Sequence, residues 1–303
     1  MDVRGALKEG MTRLRAVNTP SHTLAAELLL MHVLGRDRAW LYTNPEAAIE
    51  AVAADKYFGL LARRAAGEPT QYLTGKQEFW GLEFEVTPAV LIPRPETEHV
   101  IEVALERLGA RGIKIDMVTG APSPALRVAD VGTGSGCLAV ALAQELPHAE
   151  IFATDISPAA LEVAGRNAAR HGMAERVHFM ETNLLEALLR DKQSNGRQSP
   201  LFDLVVSNPP YIAQSEGEQL PREVREHEPH ASLFGGPTGI EMYARLIEQA
   251  GSLLKSGGIL VLELGYDSAE RVRAIIAALP AWTNISITND LAEIPRVFAA
   301  QRM

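Results

Sequence analysis

The amino-acid sequence predicts an α/β protein in which a doubly wound, mostly parallel sheet follows a small helical N-terminal domain. Three observations carry this expectation. Between Pro20 and Gly67 apolar residues recur at helical spacing. After Ala125, apolar runs of strand character alternate with helical patterns, as successive βαβ units require. The first of those runs ends in a glycine-rich turn, "DVGTGSG", where a strand would hand over to a helix.

With 303 residues, 47% of them hydrophobic, the chain is long enough for two domains and a sizeable core. No stretch approaches the roughly 18 consecutive apolar residues of a membrane span. The opening "MDVRGALKEGMTRLR" has no apolar secretory core, so a cytoplasmic location is expected. The single cysteine, Cys137, excludes an internal disulfide or a multi-cysteine zinc site and reads as a small buried apolar side chain. The eight histidines show no H-E-x-x-H spacing, and no metal is expected. A formal charge of −9 opposes general attraction to a phosphate backbone, so a protein or small-molecule substrate is expected rather than direct nucleic-acid binding.

Taken in order, residues 1–75 form the helical domain. Leu24, Leu28, Met31 and Leu34 mark one helix behind Ser21 as its N-cap, and "PEAAIEAVAADKYFGLLARRAAG" continues in kind. Residues 76–108 read as a connector: Trp80, Leu82, Phe84 and Val86 alternate as in a strand, half of a hairpin, and a helix opens near Pro95. Residues 109–303 hold the sheet. Within them "GARGIKIDMVTGAPSPAL" and the polar run Arg190 to Pro200 read as surface loops. The last two apolar runs, "WTNISIT" and "RVFAAQR", suit an antiparallel hairpin at the sheet edge.

Gly132, Gly134 and Gly136, with Thr133 and Ser135 between them, let the chain turn tightly and let a ligand approach the backbone. Asp155 ends the second strand about 20 residues later, where a carboxylate can accept from both hydroxyls of a ribose. Its competing role is to cap the helix that opens at Ser157 and Pro158. The loop reads G-x-G-x-G rather than the dinucleotide G-x-G-x-x-G, and no Lys-Ser or Lys-Thr pair follows it for a triphosphate. A ligand with a ribose and no phosphate is favoured, of which S-adenosyl-L-methionine is the common one. Asp130 stands just before the loop, either to receive the ligand's ammonium group or to cap the loop amides. Asn183 and Leu184, after the third strand, are placed to meet an adenine, with plain core as the other reading of Leu184.

The segment "LFDLVVSNPPYI" places Asn208, Pro209, Pro210 and Tyr211 at the end of a buried strand. An amide or aromatic amine is a poor nucleophile because its lone pair is delocalised. The segment supplies no strong base, but it supplies two acceptors, the Asn208 side-chain oxygen and the Pro209 carbonyl, enough for both hydrogens of one planar NH2. Residues before proline are driven to extended backbone and proline has no N–H, so these acceptors are fixed and unpaired. Tyr211 is expected to cover the flat NH2-bearing group or pack on the departing sulfur ligand. Arg94 either closes over the site or pairs with Glu98 at i and i+4.

"DVGTGSG", "TDIS", "SNPPYI" and the upstream "LIPRPETE" together resemble the release-factor glutamine methyltransferases, the PrmC/HemK family, and the resemblance runs over nearly the whole chain. It implies a Rossmann-like class I methyltransferase sheet and methylation of the glutamine in the Gly-Gly-Gln motif of class I peptide chain release factors. It further implies that Gly132 to Gly136, Asp155 and Leu184 contact S-adenosylmethionine while Asn208 to Tyr211 receive the glutamine. Leu184 departs from the aromatic residue the family often carries near the adenine. A monomer is expected. Asn-Pro-Pro-Tyr is shared with enzymes that methylate DNA adenine, which is the alternative substrate class. A non-catalytic nucleotide-binding adaptor is a further alternative, opposed by the intact Asn208. A nicotinamide-dependent oxidoreductase is disfavoured by the loop spacing.

Overall fold

Five helices build the N-terminal part: α1 (Val3–Ala16), α2 (His22–Leu34), α3 (Arg38–Thr43), α4 (Ala51–Ala65) and α5 (Thr70–Thr74). The computed structural model describes residues 1–110, 126–194 and 202–303. They divide into two units, Met1–Lys76 with Leu220–His227, and Gln77–Gln219 with Glu228–Met303.

In the first unit Asp2 and Asp37 cap α1 and α3 by accepting from Gly5 N and Trp40 N, each at 2.7 Å. Val3, Leu7, Leu14, Leu29, Leu30, Leu41, Tyr57 and Leu61 form its core. The helix expected behind Ser21 is present as α2, but one expectation fails on it. Ser21 lies at φ 48° and makes no cap bond. The buried face carries Ala25, Ala26, Leu29 and Leu30, whereas Leu24 is exposed and Leu28, Met31 and Leu34 are half-buried. The helix is apolar nearly all round, so apolar spacing does not define a face. Glu27, which is fully buried, also disguises that face; it is held by Arg38 at 2.9 Å and by the Tyr42 hydroxyl.

The second unit opens with the hairpin β1 (Lys76–Phe79) and β2 (Leu82–Glu85). Trp80 and Gly81 form its turn, both at positive φ, so Trp80 belongs to the turn and not to the strand in which its apolar character places it. Its indole N–H donates to Glu145 at 2.8 Å. A single 3-10 turn, Pro95–Thr97, then leads into α6 (Glu98–Ala110), as the proline suggests.

The sheet follows in alternation: β3 (Arg127–Val131), α7 (Cys137–Glu145), β4 (Glu150–Asp155), α8 (Pro158–Arg170), β5 (Val177–Glu181), α9 (Glu186–Ser194) and β6 (Phe202–Ser207). Next come β7 (Ile212–Ala213), α10 (Arg222–His227, in the first unit), α11 (His230–Leu233) and β8 (Phe234–Gly236). The chain ends through α12 (Glu241–Leu253), β9 (Leu254–Glu263), α13 (Ala269–Ala277), β10 (Trp282–Asn289) and β11 (Pro295–Arg302). Arg190 to Ser194 therefore close α9 rather than begin a loop; Arg190 reaches back to Glu186 across one turn at 3.3 Å. The rest of that expected loop, and residues 111–125 of the earlier one, lie outside the described residues.

Seven strands pair in the order β10-β11-β9-β6-β3-β4-β5. Contacts from β9 through β5 are parallel, and β11 is antiparallel to both β9 and β10, which makes the expected edge hairpin. One face buries Val128, Ile151, Leu204 and Val261 under α6 and α7, and the other buries Ala129, Val205, Leu260 and Phe298 under α12 and α13. Strand β6 is buried at every residue, as a central parallel strand covered on both faces requires. From β3 the chain moves outward to β4 and β5, then returns to the other side of β3 at β6. That reversal opens a crevice at the carboxyl ends of β3 and β6.

Candidate active site

The glycine loop leaves β3 with φ of 74° at Gly132, 56° at Gly134 and 81° at Gly136, a backbone that side-chain-bearing residues adopt only with strain. It is tied to the end of β4: the amides of Gly132 and Thr133 donate to the Thr154 carbonyl at 2.8 and 2.9 Å, and Gly134 N donates to Asp155 Oδ2 at 2.9 Å. Asp155 Oδ1 accepts from Ser157 N at 2.9 Å, while Ser157 itself caps α8 through Ala160 N. Asp155 thus braces the loop and the helix entry, and its half-buried carboxylate still lines the crevice.

Asp130 lies beneath the loop and does not line the crevice. It is fully buried, and its Oδ2 accepts from the Thr133 hydroxyl at 2.6 Å and from Ala139 N at 3.1 Å. Burial pushes its carboxyl up to about 7, with Thr133 and Ala139 opposing and the charge of Asp155 adding to the rise. Its Oδ1 finds no hydrogen-bond partner among the described residues. The bonds of Asp130 thus go to a loop hydroxyl and to the first turn of α7, and no loop amide is among its donors.

A cavity of about 380 Å³, in the range of small-ligand sites, occupies the crevice. Gly132, Thr133, Gly134, Ser135, Asp155, Asn183, Leu184, Asn208, Pro210 and Arg94 all line it. Leu184 sits at φ 53° and is nearly buried, which turns its side chain against the core while leaving an apolar edge on the cavity. Ile156, 59% exposed, adds a second apolar surface beside Asp155. A carboxylate with oxygens free to accept further bonds, flanked by Ile156 and Leu184 and by open glycine backbone, fits a nucleoside. Cys137 is buried at the cavity margin, and burial pushes its thiol up to about 12, which leaves it inert.

Pro209 and Tyr211 do not line this cavity. Pro209 is buried, and among the described residues no donor reaches its carbonyl. The Tyr211 ring packs against the second face of the sheet core and its hydroxyl turns to Glu263. The segment is pressed against β8: a Cβ on Gly235 would stand 2.4 Å from the Pro210 carbonyl oxygen, so only glycine allows this approach. Arg94 does not pair with Glu98. It donates to Glu228 at 2.5 Å, and Glu98 instead accepts from Trp80 N at 2.7 Å.

Sequence reasoning missed Thr97, Glu228 and Glu263. Glu228 is buried and receives both Arg94 and the amide of Ile92, fixing the strap Ala89–Arg94 that walls the cavity. Glu263 is buried at the end of β9 and accepts from Thr97 at 2.6 Å. The available signal was a charge at the end of the apolar run "GILVLELG".

The sheet order, the glycine loop and the acidic end of β4 define a Rossmann-like class I methyltransferase. Two solved structures of the hMettl16 catalytic domain share this fold. The complex with MAT2A 3'UTR hairpin 1 has a TM-score of 0.55 at 15% identity, covering 86% of this chain and 84% of that one. The complex with hairpin 6 has a TM-score of 0.54 at 17% identity, covering 79% and 81%. Residues 5–75 match the PrmC N-terminal domain, and residues 117–225 match the methyltransferase small domain. The release factor glutamine methyltransferase of Koribacter versatilis is 44% identical over 100% of this chain and 99% of its own. That of Moorella thermoacetica is 41% identical with the same coverage. The chain belongs to the release factor glutamine methyltransferase family.

Proposed function

We propose that this enzyme transfers a methyl group from S-adenosyl-L-methionine to the side-chain amide nitrogen of the glutamine in the Gly-Gly-Gln motif of class I peptide chain release factors. The observation that carries the reading is Asn208: it stands at the exit of β6, on the cavity that Asp155 and the glycine loop also line, with its amide nitrogen donating to Thr97 Oγ1. When bound, S-adenosylmethionine supplies a methyl made electrophilic by its sulfonium.

In this reading Asp155 accepts from the ribose hydroxyls, and Ile156 and Leu184 cover the adenine. Asn208 Oδ1 and the Pro209 carbonyl accept the two hydrogens of the glutamine NH2. They hold it in line with the methyl and draw its electron density toward nitrogen. The N–C bond forms as the C–S bond breaks, and the surplus proton on nitrogen passes to solvent. Tyr211 supports this segment from behind rather than covering the substrate.

Residues 1–75 would recognise the release factor, residues 76–108 connect, and residues 109–303 carry the chemistry. A release-factor substrate sets the reaction in the cytoplasm, and one chain carries every group the reading uses. Incubation of a release factor with enzyme and methyl-labelled cofactor, followed by mass spectrometry, tests it. Label on the Gly-Gly-Gln glutamine is the expected result, and label elsewhere or none would overturn the reading.

A further inference from the structure

Asn208 is held by a chain of hydrogen bonds whose directions chemistry dictates. Glu263, the last residue of β9, is 1% exposed. Its Oε2 accepts from the Thr97 hydroxyl at 2.6 Å, and its Oε1 accepts from the Tyr211 hydroxyl at 3.4 Å. A threonine hydroxyl has one proton to donate. With that proton given to Glu263, Thr97 Oγ1 can only accept, and the atom of Asn208 facing it must be the amide nitrogen. Asn208 Nδ2 donates to Thr97 Oγ1 at 3.1 Å. Oδ1 is therefore the end of the carboxamide left for the cavity, which Asn208 and Thr97 both line.

A carboxamide without such a partner can turn over and exchange its oxygen for its NH2 with little change in shape. The turned-over form would present a donor to the donor NH2 of the substrate. A buried carboxylate is costly to keep at the end of an apolar strand. Burial pushes Glu263 up to about 7; Thr97, Arg296 and Tyr211 hold it down, and the charge of Glu96 adds to the rise. The Tyr243 hydroxyl fixes the same strand end by donating to the Glu263 carbonyl at 3.0 Å.

We propose that Glu263 is a positioning residue for methyl transfer: through Thr97 it dictates which end of the Asn208 carboxamide meets the substrate. It thereby makes the site selective for a group that donates, the NH2 of a primary amide, over a carboxylate that only accepts. The inference rests on Asn208 as the receiver of the substrate amide. If Glu263 becomes glutamine, its new NH2 can donate to Thr97, the Thr97 proton is released toward Asn208, and the carboxamide turns over.

The test compares Thr97→Val, Glu263→Gln, their double variant, Thr97→Ser and Asn208→Ala, all in the full chain. Turnover of a release factor is measured at saturating cofactor and about pH 8, where Glu263 is ionised. Cofactor affinity is measured by calorimetry and folding by the melting transition. Thr97→Val and Glu263→Gln should each lose about 10- to 100-fold in kcat with cofactor affinity retained. The double should fall no lower than the worse single, because both break one chain. Thr97→Ser, which restores the hydroxyl, should recover the turnover lost in Thr97→Val. Wild-type turnover by Thr97→Val beside an inactive Asn208→Ala would overturn the role of Glu263 and leave that of Asn208 standing. So would losses that multiply in the double variant. Normal turnover by Asn208→Ala would overturn both. Should Glu263→Gln fail to fold, the Thr97 valine and serine pair decides alone.

Discussion

The carboxylate of Asp155 holds the amide of Gly134 at 2.9 Å, so the residue that ends β4 also sets the shape of the loop that ends β3. Its other oxygen holds Ser157 N at the mouth of α8. Removing this side chain therefore takes away ligand acceptors and a loop brace together. A hydrogen bond to a charged group is worth about 1.5–3 kcal/mol, so Asp155→Ala should weaken S-adenosylmethionine binding by at least about tenfold. Asp155→Asn, which keeps one acceptor oxygen, should fall between. Calorimetry is the measurement, and unchanged affinity in the alanine variant would remove Asp155 from the site.

Arg94 and Glu228 form the fastening of the cavity wall. The Glu228 carboxylate is buried, with Arg94 at 2.5 Å and the amide of Ile92 beside it. Arg94→Ala leaves that carboxylate without its cation. Because Arg94 is itself a third exposed, the cost should stay at about 1–3 kcal/mol, below that of breaking a fully buried pair. A lowered melting temperature and a raised KM for cofactor are expected, since the strap Ala89–Arg94 lines the site. Glu228→Gln, which removes the buried charge, should cost less. Equal melting temperatures for wild type and Arg94→Ala would show that the pair does not fasten the strap.

The sheet was legible because its strands are short apolar runs bounded by turn residues, and their alternation with helices leaves few topologies. The glycine loop, Asp155 and Asn208 were legible because each sits where a strand ends, a place that sequence locates well. The direction of Tyr211 was not legible because sequence cannot say whether a ring after Pro210 turns to the cavity or to the core; Gly265 leaves room for that ring on the core side. Thr97, Glu228 and Glu263 were missed for a different reason. Their partners stand far away in the chain: Arg94 for Glu228 at a separation of 134, and Thr97 for Glu263 at 166. No local period carries such information. The buried face of α2 was not legible because apolar residues surround that helix and the charge on its buried side, Glu27, finds its partners in α3.

Asp130 and Glu263 give the protein a pH-dependent stability of definite sign. Burial raises Asp130 from its ordinary 3.8 to about 7 and Glu263 from 4.5 to about 7. Between those values the folded state holds protons that the unfolded state has lost, so stability falls as pH rises from about 4 to 7 and levels off above. Asp130→Asn keeps the shape and removes one of the two titrations. Its unfolding free energy in urea should therefore decline less than that of wild type between pH 5 and 8, a window set by those raised values. Parallel declines in the two proteins would mean that Asp130 is ionised in the folded state across that range.

Asn208→Ala removes the carboxamide, and losing one pre-organised polar contact at a reacting centre costs about 10²–10³ in rate. Turnover should collapse at least that far, while Asp155 and the glycine loop keep the cofactor bound. Asn208→Asp separates two ways in which the side chain can act. If only negative polarisation of the substrate NH2 matters, an aspartate keeps an acceptor, strengthens it with charge, and should retain much activity. The geometry argues the opposite. Thr97 gives its proton to Glu263 at 2.6 Å and turns only lone pairs toward position 208. An introduced carboxylate has no hydrogen to place there. It must either face those lone pairs or take the Thr97 proton and leave the buried Glu263 oxygen without a donor, and each course moves the acceptor from its productive position. Asn208→Asp should therefore be impaired about as severely as Asn208→Ala in single-turnover assays with a release factor, with cofactor affinity preserved in both. An aspartate variant that turns over near the wild-type rate would show that charge, not the orientation of a neutral amide, prepares the substrate nitrogen.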